Sequence, residues 1–125
     1  MPFPFWQLKL FPSVLKGPPL MIALRRYEIL LPSQFNDGNP VPQERLAETL
    51  LELETKFGAV SCDTQIIHGL WRQEGEIYRD SLIRLFVDVP DSSENRQFFT
   101  EFKLRLKDRF QQLDIWLTTY PIEVI

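Results

Sequence analysis

Residues 66–81 read IIHGLWRQEGEIYRDS and place the chain's one histidine, His68, close in sequence to Ser81, Asp80, Tyr78, Arg79 and Trp71. These residue types suit acyl transfer, which needs a hydroxyl nucleophile, an imidazole to take its proton and a carboxylate to orient the ring. They also suit proton transfer on a small substrate, with His68, Tyr78 or Asp80 as acid or base and Arg79 or Arg84 holding an anionic group. Which of these side chains can cooperate depends on the face of the chain each occupies.

The stretch reads as a hairpin of two strands, about 60–72 and 76–89, joined at Glu74-Gly75. Ser81, Ile83, Leu85, Val87 and Val89 form one side of the second strand, and Cys62, Thr64, Ile66, His68 and Leu70 form the matching side of the first. Pairing like with like requires a two- or four-residue connection, since a three-residue loop would set apolar against polar sets. In that register His68 lies opposite Ser81, Trp71 opposite Tyr78 and Gly69 opposite Asp80. His68 is then expected on the helix-facing side, half-buried and hydrogen-bonded to a hydroxyl or backbone group. Asp80 points to the other face, which leaves a Ser81–His68 pair without its orienting carboxylate.

The flanking elements follow from their periodicities. In MIALRRYEILLP, Tyr27, Ile29 and Leu31 alternate with Arg26, Glu28 and Leu30, a strand ended by Pro32. SQFNDGNPVP is a loop of turn formers. Leu46, Leu50, Leu53 and Phe57 then mark a helix over about 43–57, with Gly58 as its C-terminal cap. DSSE at 91–94 has the form of a capping box with Asp91 at the cap, and Phe99, Phe102, Leu106, Phe110 and Leu113 are the apolar stripe of the helix it opens. LDIWLTTYPIEVI returns to strand alternation, with Ile115 and Leu117 opposite Trp116 and Tyr120.

The order β-α-β-β-α-β is that of the ferredoxin-like α+β sandwich, a four-stranded antiparallel sheet with two helices on one face. Its sheet order, 4-1-3-2, puts the two most apolar strands in the centre. Through YEILLPSQFNDG, GLWRQEGEIYRDS and the closing strand, the chain from Tyr27 onward resembles a family of small bacterial ferredoxin-like proteins of unknown function. The resemblance implies this fold and no activity.

With both helices on one side, Trp71, Tyr78, Asp80, Leu82, Arg84, Phe86 and Trp116 are left on the other, a patch that a soluble protein covers. Two function classes meet that need. One is a binding or assembly module that dimerises through the helix-free face. The other is a cofactor-free dimeric α/β-barrel type of enzyme, isomerase or monooxygenase-like, with a small apolar or anionic substrate held between the sheets. Aromatics on a four-stranded sheet also suit RNA, but the glycine, aromatic and basic run of an RNA-recognition module is missing, and Asp80 and Asp88 share the face.

Composition narrows the classes further. Among 125 residues, 44% are hydrophobic and 25% charged, as in one ordinary globular domain. A net charge of -3 gives no broad electrostatic footprint for nucleic acid. One cysteine, Cys62, and one histidine cannot make a Cys/His zinc site, the carboxylates Asp37, Asp63 and Asp80 have no metal-ligand spacing, and no phosphate-binding glycine loop is present. No cofactor, metal, membrane or nucleic-acid partner is therefore expected, and a reduced, cytoplasmic setting is. The basic run KLRLKDR at 103–109 faces Glu44, Glu48, Glu52 and Glu54 of the other helix, with Glu101 to Arg105 as an i, i+4 pair, so a charge-paired helix surface is expected. Residues 1–20 are broken by five prolines and carry Lys9 and Lys16, which reads as a poorly ordered, dispensable extension ahead of a domain over 21–125. The alternative is an arm that docks through Phe3, Phe5, Trp6 and Phe11.

Overall fold

The computed structural model describes residues 22–125; the expected extension over 1–20 lies outside the described residues. The elements are β1 (Leu24–Pro32), α1 (Gln43–Phe57), β2 (Ser61–Gln73), β3 (Glu76–Pro90), α2 (Ser93–Arg109) and β4 (Trp116–Ile122). The four strands form an antiparallel sheet in the order β2-β3-β1-β4, the expected 4-1-3-2 arrangement of a ferredoxin-like α+β fold. The apolar strands β1 and β3 occupy its centre.

Alternation decides what each central strand buries. Tyr27, Ile29 and Leu31 of β1 and Leu85, Val87 and Val89 of β3 pack with Leu53 and Phe57 of α1 and with Phe99, Phe102 and Leu106 of α2. Both helices thus cover one face. Phe99 stacks on Tyr27 with ring centroids 3.9 Å apart, and Phe57 lies parallel to Phe99 at 5.4 Å. The Tyr27 hydroxyl, buried in this cluster, has no hydrogen-bond partner among the described residues.

The helix ends show how local chemistry sets boundaries. Gly58 closes α1 at φ 84°, with its N–H donating to the Glu54 carbonyl. At α2 the cap is Ser92, whose hydroxyl accepts from the Asn95 N–H at 3.1 Å. Asp91, expected at that cap, instead lies 3.2 Å from the Arg25 guanidinium. The apolar stripe ends at Phe110, because Gln111 takes a left-handed φ of 54° and turns the chain. Leu113, expected on the stripe, is consequently 85% exposed.

The helices are ion-paired across their interface, as expected, though not through the i, i+4 pair. Arg105 pairs with Glu52 rather than with Glu101, which accepts from Gln97, and Arg109 reaches both Glu48 and Glu52. Arg109 also donates to the hydroxyl of the fully buried Thr49. Burial opposes the charge of Glu52, yet the hydrogen bonds from Arg109 and Arg105 more than offset it and lower its pKa.

β2 and β3 outrun the helices. They join through the two residues Glu74 and Gly75, at φ 52° and 83°, with Gln73 opposite Glu76. Between Asp63 and Ile67 the ladder is interrupted, with two more residues on β2 than on β3, so face parity is preserved across the irregularity. From Leu70 to Arg79 every residue is exposed, and this part of the hairpin projects as a two-stranded arm.

Candidate functional site

The helix-free face is organised around Phe86. The guanidinium carbons of Arg26 and Arg84 lie 4.4 and 4.6 Å from its ring centroid. Sheet register supplies each arginine with an anion. Arg26 stands opposite Asp88 and forks onto it, Nε to Oδ1 at 2.7 Å and Nη2 to Oδ2 at 3.0 Å. Arg84 donates to Glu28 Oε1 at 2.8 Å, and the Tyr120 hydroxyl donates to the same oxygen at 2.6 Å. The hydrogen bonds from Arg84 and Tyr120 lower the Glu28 pKa, and Asp88 raises that of Arg26. Two cations and two anions cancel within one chain, and their paired heads can leave water together.

Toward the arm the same face becomes aromatic and acidic. Trp71 and Tyr78 stand opposite one another and stack, with centroids 4.4 Å apart and planes 18° from parallel. Trp71 Nε1 donates to Asp80 Oδ2 at 2.8 Å, which fixes the indole plane, and the Tyr78 hydroxyl donates to Glu76 at 3.3 Å. Gly69, opposite Asp80, leaves room for Leu82: a Cβ there would stand 3.4 Å from its Cδ1.

The expected register is therefore the observed one, and it separates the catalytic candidates. Tyr78 and Asp80 come together with Trp71, and Leu82, Arg84 and Phe86 continue the row. Trp116 sits on the same face beside Leu30 and is 67% exposed. His68 pairs with Ser81 on the opposite side. It is exposed rather than half-buried, because the helices end short of it, and its ring makes no hydrogen bond among the described residues. The Ser81 carbonyl is taken by the N–H and hydroxyl of Ser33. Arg79 also lies on the His68 side, away from Asp80. A Ser81–His68–Asp80 triad does not assemble.

Arg26, Glu28 and Tyr120 belong to the face although the candidate residues did not include them, and Asp88, expected on it, completes the group. Their signal was the alternation of Arg26 and Glu28 with the buried Tyr27 and Ile29, combined with a sheet order that lays β1 between β3 and β4. Cys62 points toward the helices, and burial pushes its thiol pKa up. Two open, shallow depressions of about 440 and 480 Å³ lie by Leu104 and Gln111 and by Arg45 and Arg109; both are on the helix side. No group of three or more His, Cys, Asp or Glu side chains that could hold a metal ion occurs among the described residues. Nor is any helix of the described residues long and apolar enough to cross a membrane.

No protein-family model matches the chain, and no curated protein does. Solved structures do share its fold. A phage SAM lyase in complex with S-methyl-5'-thioadenosine superposes with a TM-score of 0.61 at 11% identity, over 84% of this chain and 93% of that one. The divalent cation tolerance protein CutA1 of Thermus thermophilus gives 0.56 at 16% identity, over 81% and 85%. CutA of Synechococcus elongatus gives 0.57 at 11%, over 86% and 84%. At these identities the likeness is one of fold.

Proposed function

We propose that the protein is a small cytoplasmic assembly or binding module, folded over residues 21–125, that covers its helix-free sheet face with a second copy of itself, most simply as a homodimer. The carrying observation is the Arg26–Phe86–Arg84 stack with its paired carboxylates. Because these charges are already paired in the chain, a partner can cover them without the cost of several kcal/mol that burying an unpaired charge carries. Trp116, Leu30, Leu82 and Ile67 around that stack supply apolar area for burial. Trp116→Glu tests the reading, since it introduces a charge at a side chain that the isolated chain does not bury. Light scattering is expected to show an oligomer for the unmodified chain and a smaller particle for the variant, with unchanged circular dichroism. A monomeric unmodified chain overturns the proposal.

A second reading is supported by the row of Tyr78, Asp80 and Arg84 along one face of β3 and by a fold that also serves a lyase bound to S-methyl-5'-thioadenosine. In it, a cavity between copies holds a small apolar or anionic ligand, with Tyr78 or Asp80 as acid or base and Arg84 as the anion clamp. His68 and Arg79 lie across the sheet and have no part in that cavity. Mass spectrometry of small molecules retained by the purified protein separates the readings. A stoichiometric ligand lost in Arg84→Met favours the second, and an empty interface favours the first.

A further inference from the structure

The arm has two chemically different sides. On the side shared with the helix-free face stand Trp71, Tyr78, Glu76 and Asp80, with Asp63 farther down the same face. On the other side stand His68, Leu70, Arg72, Ile77 and Arg79. That second side would lie against the helices if they extended so far, but they do not: Leu70 is 70% and Ile77 57% exposed. Arg72 and Arg79 form no ion pair among the described residues, and neither do Asp63, Glu76 and Asp80. These unpaired charges contrast with the in-chain pairs around Phe86. A two-stranded ribbon with leucine and isoleucine open to water has little stability of its own.

We infer that the arm of one copy lies along the helix-free face of another, with Arg72 and Arg79 meeting Glu76, Asp80 and Asp63, and with Leu70 and Ile77 seated on Trp71, Tyr78 and Leu82. The inference rests on the self-assembly proposed above and deepens it by naming the contact. Charge complementarity selects the second copy as occupant. Two faces laid on one another about a two-fold axis near the arm would bring Asp63, Glu76 and Asp80 close to their own images, whereas the underside of the arm supplies the cations and apolar groups those carboxylates lack. An RNA or another polyanion fits less well, because Glu74, Glu76 and Asp80 ride on the same ribbon. The contact joins opposite sides of one ribbon, so two copies cannot make it mutually; it is heterologous and is made once per copy around a closed ring.

The experiment measures association of the full chain by sedimentation and light scattering in four forms: unmodified, R72E/R79E, E76K/D80K, and all four changes together. Each double variant is expected to weaken association about tenfold or more, and the fourfold variant to restore it, since inverted arms meet inverted faces. Circular dichroism is expected to keep its folded form throughout, because Arg72, Glu76 and Arg79 are exposed and the half-buried Asp80 bonds only the exposed Trp71 on the arm. Association that is insensitive to R72E/R79E, or strengthened by E76K/D80K, overturns the arm contact while leaving a sheet-face assembly in place. Loss in both double variants without recovery in the fourfold variant also overturns it. A monomeric unmodified chain sinks both this inference and the reading it rests on, and single-stranded RNA bound through Arg72 and Arg79 by such a monomer names the other occupant.

Discussion

Strand β3 passes through two environments. From Ile83 to Val89 every second residue enters a core of phenylalanines from α2 and is held on the other side by β1. From Glu76 to Arg79 the same alternation continues with nothing beneath it, and Ile77 is as regular a strand residue as Val87 but open to water. The difference teaches that strand periodicity assigns a side chain to a face but not to a neighbour. What covers a face is set by the length of other elements, here two helices that end before the hairpin does.

The largest contrast between the regions comes from emptying the core. Phe102→Ala removes a fully buried ring and should cost about 3–5 kcal/mol in chemical denaturation. Leu70→Ala on the arm should change the stability of the single chain by less than about 0.5 kcal/mol. Equal losses would mean that the arm is packed in the isolated molecule. Trp71→Ala should remove about 0.5–1.5 kcal/mol from the arm alone, through loss of the stacked ring and its bond to Asp80. Hydrogen exchange should quicken at Arg72, Gln73 and Ile77 with the helices unaffected; a global loss would join the two regions into one cooperative unit.

Within the core, Tyr27→Phe sharpens the comparison by removing a buried hydroxyl that has no partner. Stability should be unchanged or gain up to about 1 kcal/mol, and a clear loss would reveal a partner for that hydroxyl. The charged face has its own signature in acid. Hydrogen bonds from Arg84 and Tyr120 lower the Glu28 pKa below its ordinary 4.5, so the folded state holds this proton less readily than the unfolded one. Stability from Glu28 is therefore complete above pH 4.5 and is lost as the pH falls through the lowered value. Glu28→Gln should flatten the acid limb of a stability profile; an unchanged limb would show that the pair contributes nothing. Glu74→Asn should give the smallest effect, a slight gain in arm protection, because asparagine accepts the left-handed conformation at the first turn position better than glutamate does.

Much of this architecture was legible in the sequence because each feature has a local cause. The Glu74-Gly75 turn follows from matching two alternating faces, and that one deduction also placed Trp71 on Tyr78 and His68 on Ser81. α1 follows from the spacing of Leu46, Leu50, Leu53 and Phe57, with Gly58 as its stop. Features decided by competition or by distant elements were not legible. Asp91 and Ser92 are both good caps, but Asp91 is held by the segment at the start of β1, its carboxylate by Arg25 and its N–H by the Ala23 carbonyl. Leu113 continued the apolar stripe on paper, but the stripe ended where Gln111, and no glycine, turned left-handed. Arg105 had an acid on its own helix and chose one across the interface. The bulge in β2 hid itself, because two extra residues leave alternation intact. Tyr78 and Asp80 were named for the face from hairpin parity, whereas Arg26, Glu28 and Tyr120 required the full order of the sheet.

The two outer strands have a further consequence. The interruption in β2 between Asp63 and Ile67, where the Asp63 carboxylate takes the Gln65 N–H, breaks the regular row of backbone groups along that margin. On the far margin Pro121 of β4 has no N–H to offer. An incoming strand of another molecule therefore finds each margin interrupted, with β2 regular only from Ile67 to Gln73, and sideways growth into a continuous fibrillar sheet is discouraged. A molecule that exposes Trp71, Tyr78, Leu70 and Ile77 has particular use for such protection: it can stay sticky on its faces while remaining closed at its rims.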